Sequence, residues 1–165
     1  MEILYYLYIA VTSLLLLKIA YIDFKTQYIY ISDLSILAVV VSLYKIYIGD
    51  MLSSAFAAAA AGIFGYVIYK ISYLIYQEEA FGLGDVFLLA ILGCYWSWPL
   101  IVHFIYFSFL LAGIIGLVVL AFTRNRKYRI AFGPVLSISV FLYYLWGLPD
   151  ILSLIHISEP TRPEP

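Results

Sequence analysis

Between Ile3 and Trp146 the chain falls into six apolar runs, and the short stretches between them carry most of its charge. The runs extend from about Ile3 to Ile22, Ile31 to Ile48, Leu52 to Tyr76, Val86 to Trp96, Leu100 to Phe122 and Ile130 to Trp146. Backbone polar groups inside a hydrocarbon layer must pair within their own segment, so such runs are helices and not isolated strands. About 20 residues span the layer, so the fourth run is short and is expected to tilt or to pack inside the bundle. The chain is 65% hydrophobic and 12% charged, with a mean hydropathy of +1.03. A soluble domain of 165 residues with that balance would have an apolar surface. The expected fold class is therefore all-α, a polytopic membrane protein of about six transmembrane helices, with membrane lipid as its surroundings. Residues 1–150 form a single transmembrane domain.

Composition excludes several function classes. The net charge is −1, with no basic domain, which argues against a nucleic-acid partner. The one cysteine, Cys94, rules out an internal disulfide and a cysteine-based metal cluster. His103 and His156 are far apart and unaccompanied, so no metal or other cofactor is expected, and His103 reads as a core or interface residue. The first run lacks a basic flank and is long enough to span, so it reads as a helix and not as a cleaved signal peptide. The small residues from Ala55 to Gly65 suit close helix contact. The 17 tyrosines and three tryptophans gather near run ends, as interfacial anchors do. Residues 151–165 break the membrane pattern, and Leu152 to Pro165 resembles an in-frame translation of a sequencing adapter. This stretch is expected to be a non-native or disordered tail, and no function is read from His156, Glu159 or Glu164.

Lysine and arginine set the orientation. The loop Arg124-Asn125-Arg126-Lys127-Tyr128-Arg129 carries four positive charges and is expected on the cytoplasmic side of the cell membrane. Alternating the spans from there puts the loops Asp23–Tyr30 and Gln77–Gly84 on the same side. Lys18, Lys25 and Lys70 fall toward it and Lys45 toward the other. Asp23 and Asp85 then lie at one membrane face, in a multi-pass protein whose site faces the cytoplasm.

An ionisable side chain at a membrane boundary is costly and marks a candidate functional site. Asp85 closes the run Phe81-Gly82-Leu83-Gly84-Asp85, where the glycines allow a tight turn and a close approach to a substrate backbone. It is expected near the start of the fourth helix, where the dipole favours the anion; Asp23 is expected at the end of the first, where the dipole opposes it. Two carboxyl groups in unequal settings can share one proton and act as an acid–base pair. Asp33, Asp50, Glu78 and Glu79 have ordinary readings as helix ends or solvated loop, with Asp33 a possible cap of the second helix. Lys25 reads as a positive-inside residue.

Three stretches carry a resemblance to the type IV prepilin peptidases, a family of GxGD-type intramembrane aspartyl proteases. Tyr21-Ile22-Asp23-Phe24-Lys25-Thr26 resembles the family's first-aspartate motif. Phe81 to Gly93, continuing to Trp96 and Trp98, resembles the second. Ile130-Ala131-Phe132-Gly133-Pro134 resembles a third, non-catalytic motif. The chain departs from the family at two places. No proline follows the first aspartate within Tyr28–Ile31, and Phe87 stands where the family commonly has a lysine.

The resemblance implies a short peptidase-only form, without the cysteine-bearing N-terminal domain of longer members. It implies an aspartic-type endopeptidase with Asp23 and Asp85 as the catalytic pair. Gly82, Gly84, Phe132, Gly133 and Pro134 would position the substrate. The substrate would be a prepilin or pseudopilin with a basic leader, cut after a glycine at the cytoplasmic membrane surface. Two other readings stand beside it: a small transporter or proton-conducting protein, which predicts carboxylates deep within the spans, and a catalytically degenerate scaffold.

Overall fold

The computed structural model describes residues 2–76, 81–123 and 131–145. Among the described residues six helices follow one another: α1 (Glu2–Thr26), α2 (Ile31–Tyr47), α3 (Met51–Tyr76), α4 (Leu83–Trp96), α5 (Leu100–Thr123) and α6 (Phe132–Leu145). No strand occurs among the described residues. By length and apolarity, α1, the Met51–Ile75 part of α3 and the Leu100–Val119 part of α5 are long enough to cross a membrane. At about 1.5 Å per residue, the 14 residues of α4 fall short of a 30 Å hydrocarbon core, as expected from its short apolar run. The cationic loop 124–129, the acidic pair Glu78–Glu79 and the tail 151–165 lie outside the described residues.

Lipid-embedded helices gain little from apolar burial against one another, because the lipid is as apolar as they are; packing comes from close fit. The tightest seam joins α3 to α4, and the small-residue stretch of α3 makes it. A Cβ added at Gly93 would lie 2.6 Å from the Ala57 carbonyl oxygen and 2.9 Å from the Ala58 Cα. Gly62 faces Ala90, and Gly65 faces Val86 and Leu89. Leu88, Leu89 and Leu92 of α4 are buried on all sides, which makes this short helix the centre of the bundle. Its outer neighbours leave an apolar cavity of about 600 Å³ between α2, α3 and α4, reaching from Ile31 and Phe87 to Met51.

Aromatic residues do more than anchor helix ends. Tyr8 of α1 stacks on Tyr44 of α2 at 3.9 Å between ring centroids and lies 5.4 Å from Tyr95 of α4. Trp96, Phe104 and Tyr143 form a second group joining α4, α5 and α6. His103 is exposed on α5 and is not a core residue.

One end of the bundle holds a polar cluster. Lys45, 7% exposed, donates to Ser97 Oγ at 2.7 Å and to Asp50 Oδ2 at 3.3 Å. Ser97 donates to Asp50 Oδ2 at 2.6 Å, and Ser54 lies 2.8 Å from Ser97. These bonds tie the α2–α3 turn to the α4–α5 turn. They also hold Ser97 at φ 61, a left-handed conformation that a serine rarely adopts unless its surroundings impose it. Asp50 is thus more than a helix end meeting solvent. The sequence signal is a lysine five residues before an aspartate, with Ser54 near the start of the third apolar run and Ser97 in the turn after the fourth.

Candidate active site

The opposite end of the bundle carries Asp23 and Asp85. Helix α1 runs four residues past the end of its apolar segment, so Asp23 lies within the helix and not in the loop after it. It is 4% exposed. The Asp23 carbonyl accepts the Gln27 N–H at 2.8 Å, and Gln27 adopts φ 55, the left-handed turn that ends helices. The chain therefore doubles back at once. Tyr28 and Tyr30 stay exposed while Ile29 turns inward.

Asp85 is the third residue of α4, and its Oδ2 accepts the Gly82 N–H at 3.3 Å. A carboxylate three residues past the cap that reaches back to the cap's own N–H is a common way to start a helix. That bond occupies one oxygen. The other, Oδ1, is buried with no hydrogen-bond partner. A buried polar atom without a partner is costly, and such atoms in folded chains call for a specific reason.

The two glycines before Asp85 do not act as expected. Neither adopts a positive φ, and Gly82, at φ −82 and ψ 151, is in ordinary extended backbone. What Gly84 contributes is the absence of a side chain: a Cβ there would stand 3.0 Å from the Ile29 Cβ. The turn is made by the helix start, and the glycine is needed for contact.

The third motif closes the site. The Gly133 N–H, one of the unpaired donors at the start of α6, donates to Asp23 Oδ2 at 3.0 Å. The N-terminal field of α6 therefore opposes that of the α1 C-terminus at this carboxylate, an offset that arises only where the two helix ends meet. A Cβ at Gly133 would lie 2.7 Å from Asp23 Oδ2 and 3.3 Å from Ile29 Cδ1. Pro134 sits in the first turn of α6, where a missing N–H costs nothing. Phe132 packs against Phe81 and Phe109, each at 5.2 Å, and so fastens the segment before Asp85 to the α6 N-terminus.

Asp23, Gly84–Asp85 and Gly133 thus meet around Ile29. Asp33 does not cap α2, whose cap is Tyr30; it sits inside the first turn and accepts from Lys18 Nζ at 2.6 Å, pinning α1 to α2 beside the site. Phe87, where a lysine was expected from the resemblance, is exposed at the mouth of the apolar cavity. Among the described residues, no carboxylate lies between the two polar ends, where the transport reading required one.

Sequence comparison points the same way. A model of the type IV leader peptidase family matches residues 10–117, a stretch that includes Asp23 and Asp85 and stops before Phe132. The chain is 33% identical over 96 residues to a prepilin leader peptidase/N-methyltransferase of Pseudomonas aeruginosa, covering 54% of this chain and 33% of that protein. It is also 33% identical over 88 residues to the Haemophilus influenzae protein of the same name, covering 53% and 36%. The chain spans about a third of the length of these curated relatives at the matched region. No solved structure matches it significantly.

Proposed function

Because this chain belongs to the type IV leader peptidase family, we propose that it removes the leader of a prepilin or pseudopilin, cutting after a glycine with Asp23 and Asp85 as its catalytic pair. The observation that carries this reading is the meeting of three separated segments, α1, the α4 start and the α6 start, around Ile29. Each brings a feature that hydrolysis needs. Asp23 and Asp85 bring carboxyl groups, and the α6 start brings the Gly133 N–H that holds Asp23 Oδ2; the buried Asp85 Oδ1 is an acceptor without a hydrogen-bond partner.

The chemistry requires only a shared proton. One carboxylate takes a proton from water as the water oxygen attacks the scissile carbonyl carbon. The other carboxyl group gives its proton to the carbonyl oxygen. The resulting diol returns a proton to the second carboxylate as the C–N bond breaks, and the departing nitrogen takes the proton held by the first. The pair titrates as a unit, so neither aspartate is assigned a separate role.

The site faces the cytoplasm in this reading. Lys18, paired with Asp33, and Lys25 and Lys70 lie toward the aspartate end, whereas only Lys45, paired with Asp50, lies toward the other. That asymmetry, with the four cations of residues 124–129, accords with the positive-inside rule. A helix boundary at the membrane surface also admits water, which the bilayer centre excludes.

Co-expression with a candidate prepilin tests the proposal through the size shift on leader removal. Wild type is expected to cleave. Asp23→Asn and Asp85→Asn should each abolish cleavage while the protein stays in the membrane. Full activity in either variant would remove that aspartate from the pair.

A further inference from the structure

The gap between the aspartates is filled by Ile29, which lies in the Tyr28–Ile31 stretch where the family's proline is missing. It belongs to the four-residue connection between α1 and α2, and Gln27, in its left-handed conformation, turns it inward. Its side chain meets both walls of the site: its Cβ lies 3.0 Å from where a Gly84 Cβ would be, and its Cδ1 lies 3.3 Å from where a Gly133 Cβ would be. Asp23 Oδ2 borders that same Gly133 position at 2.7 Å. A branched aliphatic side chain therefore fills the gap between the peptide that carries Asp85 and the carboxylate of Asp23.

A substrate backbone must bring its scissile carbonyl into this gap to be flanked by both carboxyl groups. Gly84 and Gly133 pack without side chains against Ile29 and Asp23, and Ile29 takes the room that a substrate side chain beside the cut would need. We propose that Ile29 is a specificity-determining residue whose bulk restricts the position beside the cut to glycine. This inference rests on the peptidase reading above. Ile29 has no polar atom and takes no part in proton transfer, so changing it should alter which substrate is accepted without removing the chemistry. Removing its carbons beyond Cβ opens space for a methyl group. Discrimination by one methyl-sized group in an apolar pocket is about 10- to 200-fold.

The test is a pair of co-expressed prepilins, one with glycine before the cut and one with alanine there. Each is cleaved by wild type, Ile29→Ala, Ile29→Val and the neighbouring exposed control Tyr28→Ala. The alanine-to-glycine cleavage ratio is expected to rise about ten-fold or more in Ile29→Ala, to rise less in Ile29→Val, and to stay at the wild-type value in Tyr28→Ala. If Ile29→Ala cleaves nothing, the ratio in Ile29→Val decides. An unmoved ratio in a variant that still cleaves the glycine substrate overturns the role of Ile29 and leaves the peptidase reading intact. Wild type that cleaves neither substrate overturns the peptidase reading, and this inference with it.

Discussion

Asp23 holds its place through one donated N–H, and the residue that donates it has no room for a side chain. In Gly133→Ala the new methyl would lie 2.7 Å from Asp23 Oδ2, well inside contact distance. The end of the aspartate side chain can move, so the fold should survive while the carboxylate is displaced. We expect cleavage to fall by about ten-fold or more, since misplacement of a catalytic group by 1 Å can cost about a hundred-fold. The thermal midpoint should stay close to wild type. Gly113→Ala is the matched control, because a Cβ there meets nothing within 4 Å. Equal activity in both variants would show that Gly133 does not position Asp23.

Among the helices, α4 is the one on which the rest depend, and its backbone contact with α3 is what a single substitution can break. At Gly93 the obstacle is the backbone of Ala57 and Ala58, which cannot swing aside as a side-chain tip can. Gly93→Ala is expected to destabilise the protein by about 1–3 kcal/mol, the usual cost of overpacking a tight contact. Gly62→Ala should cost less, because the new methyl meets only the Ala90 Cβ at 3.3 Å. Thermal unfolding in detergent measures both. A Gly93→Ala midpoint as high as that of Gly62→Ala would show that the seam has slack.

For the molecule as a whole, the polar cluster at the far end joins two interhelix turns that the chain order does not bring together. Burial of the Asp50 carboxyl would push it up, but the hydrogen bond from Ser97, the charge and hydrogen bond of Lys45 and the hydrogen bond from Ser54 outweigh this, and the group is held below its ordinary value. A carboxyl group held low in the folded state stabilises that state above its unfolded value and loses the contribution as pH falls through the folded one. Asp50→Asn should therefore lower the thermal midpoint at neutral pH. The gap from wild type should close only as pH drops below about 4, the ordinary aspartate value. A gap that is constant across that range would mean that the Asp50 charge contributes nothing to holding the turns together.

The class of fold was legible because the hydrocarbon layer permits few answers: long apolar runs in lipid have to be helices, and six runs became six helices with ends within a few residues of those read from hydropathy. The two aspartates stood out for the same reason, as charges at the edges of uncharged runs. Contacts between runs were not legible, because lipid-facing and helix-facing positions are alike apolar and no periodicity separates them. Only the folded chain shows Asp33 with Lys18, Lys45 with Asp50 and Ser97, Gly133 under Asp23, and Ile29 between two glycines. Such pairings depend on which helix lies beside which and at what depth. Hydropathy, which measures each segment against lipid and not against its neighbours, carries no record of that.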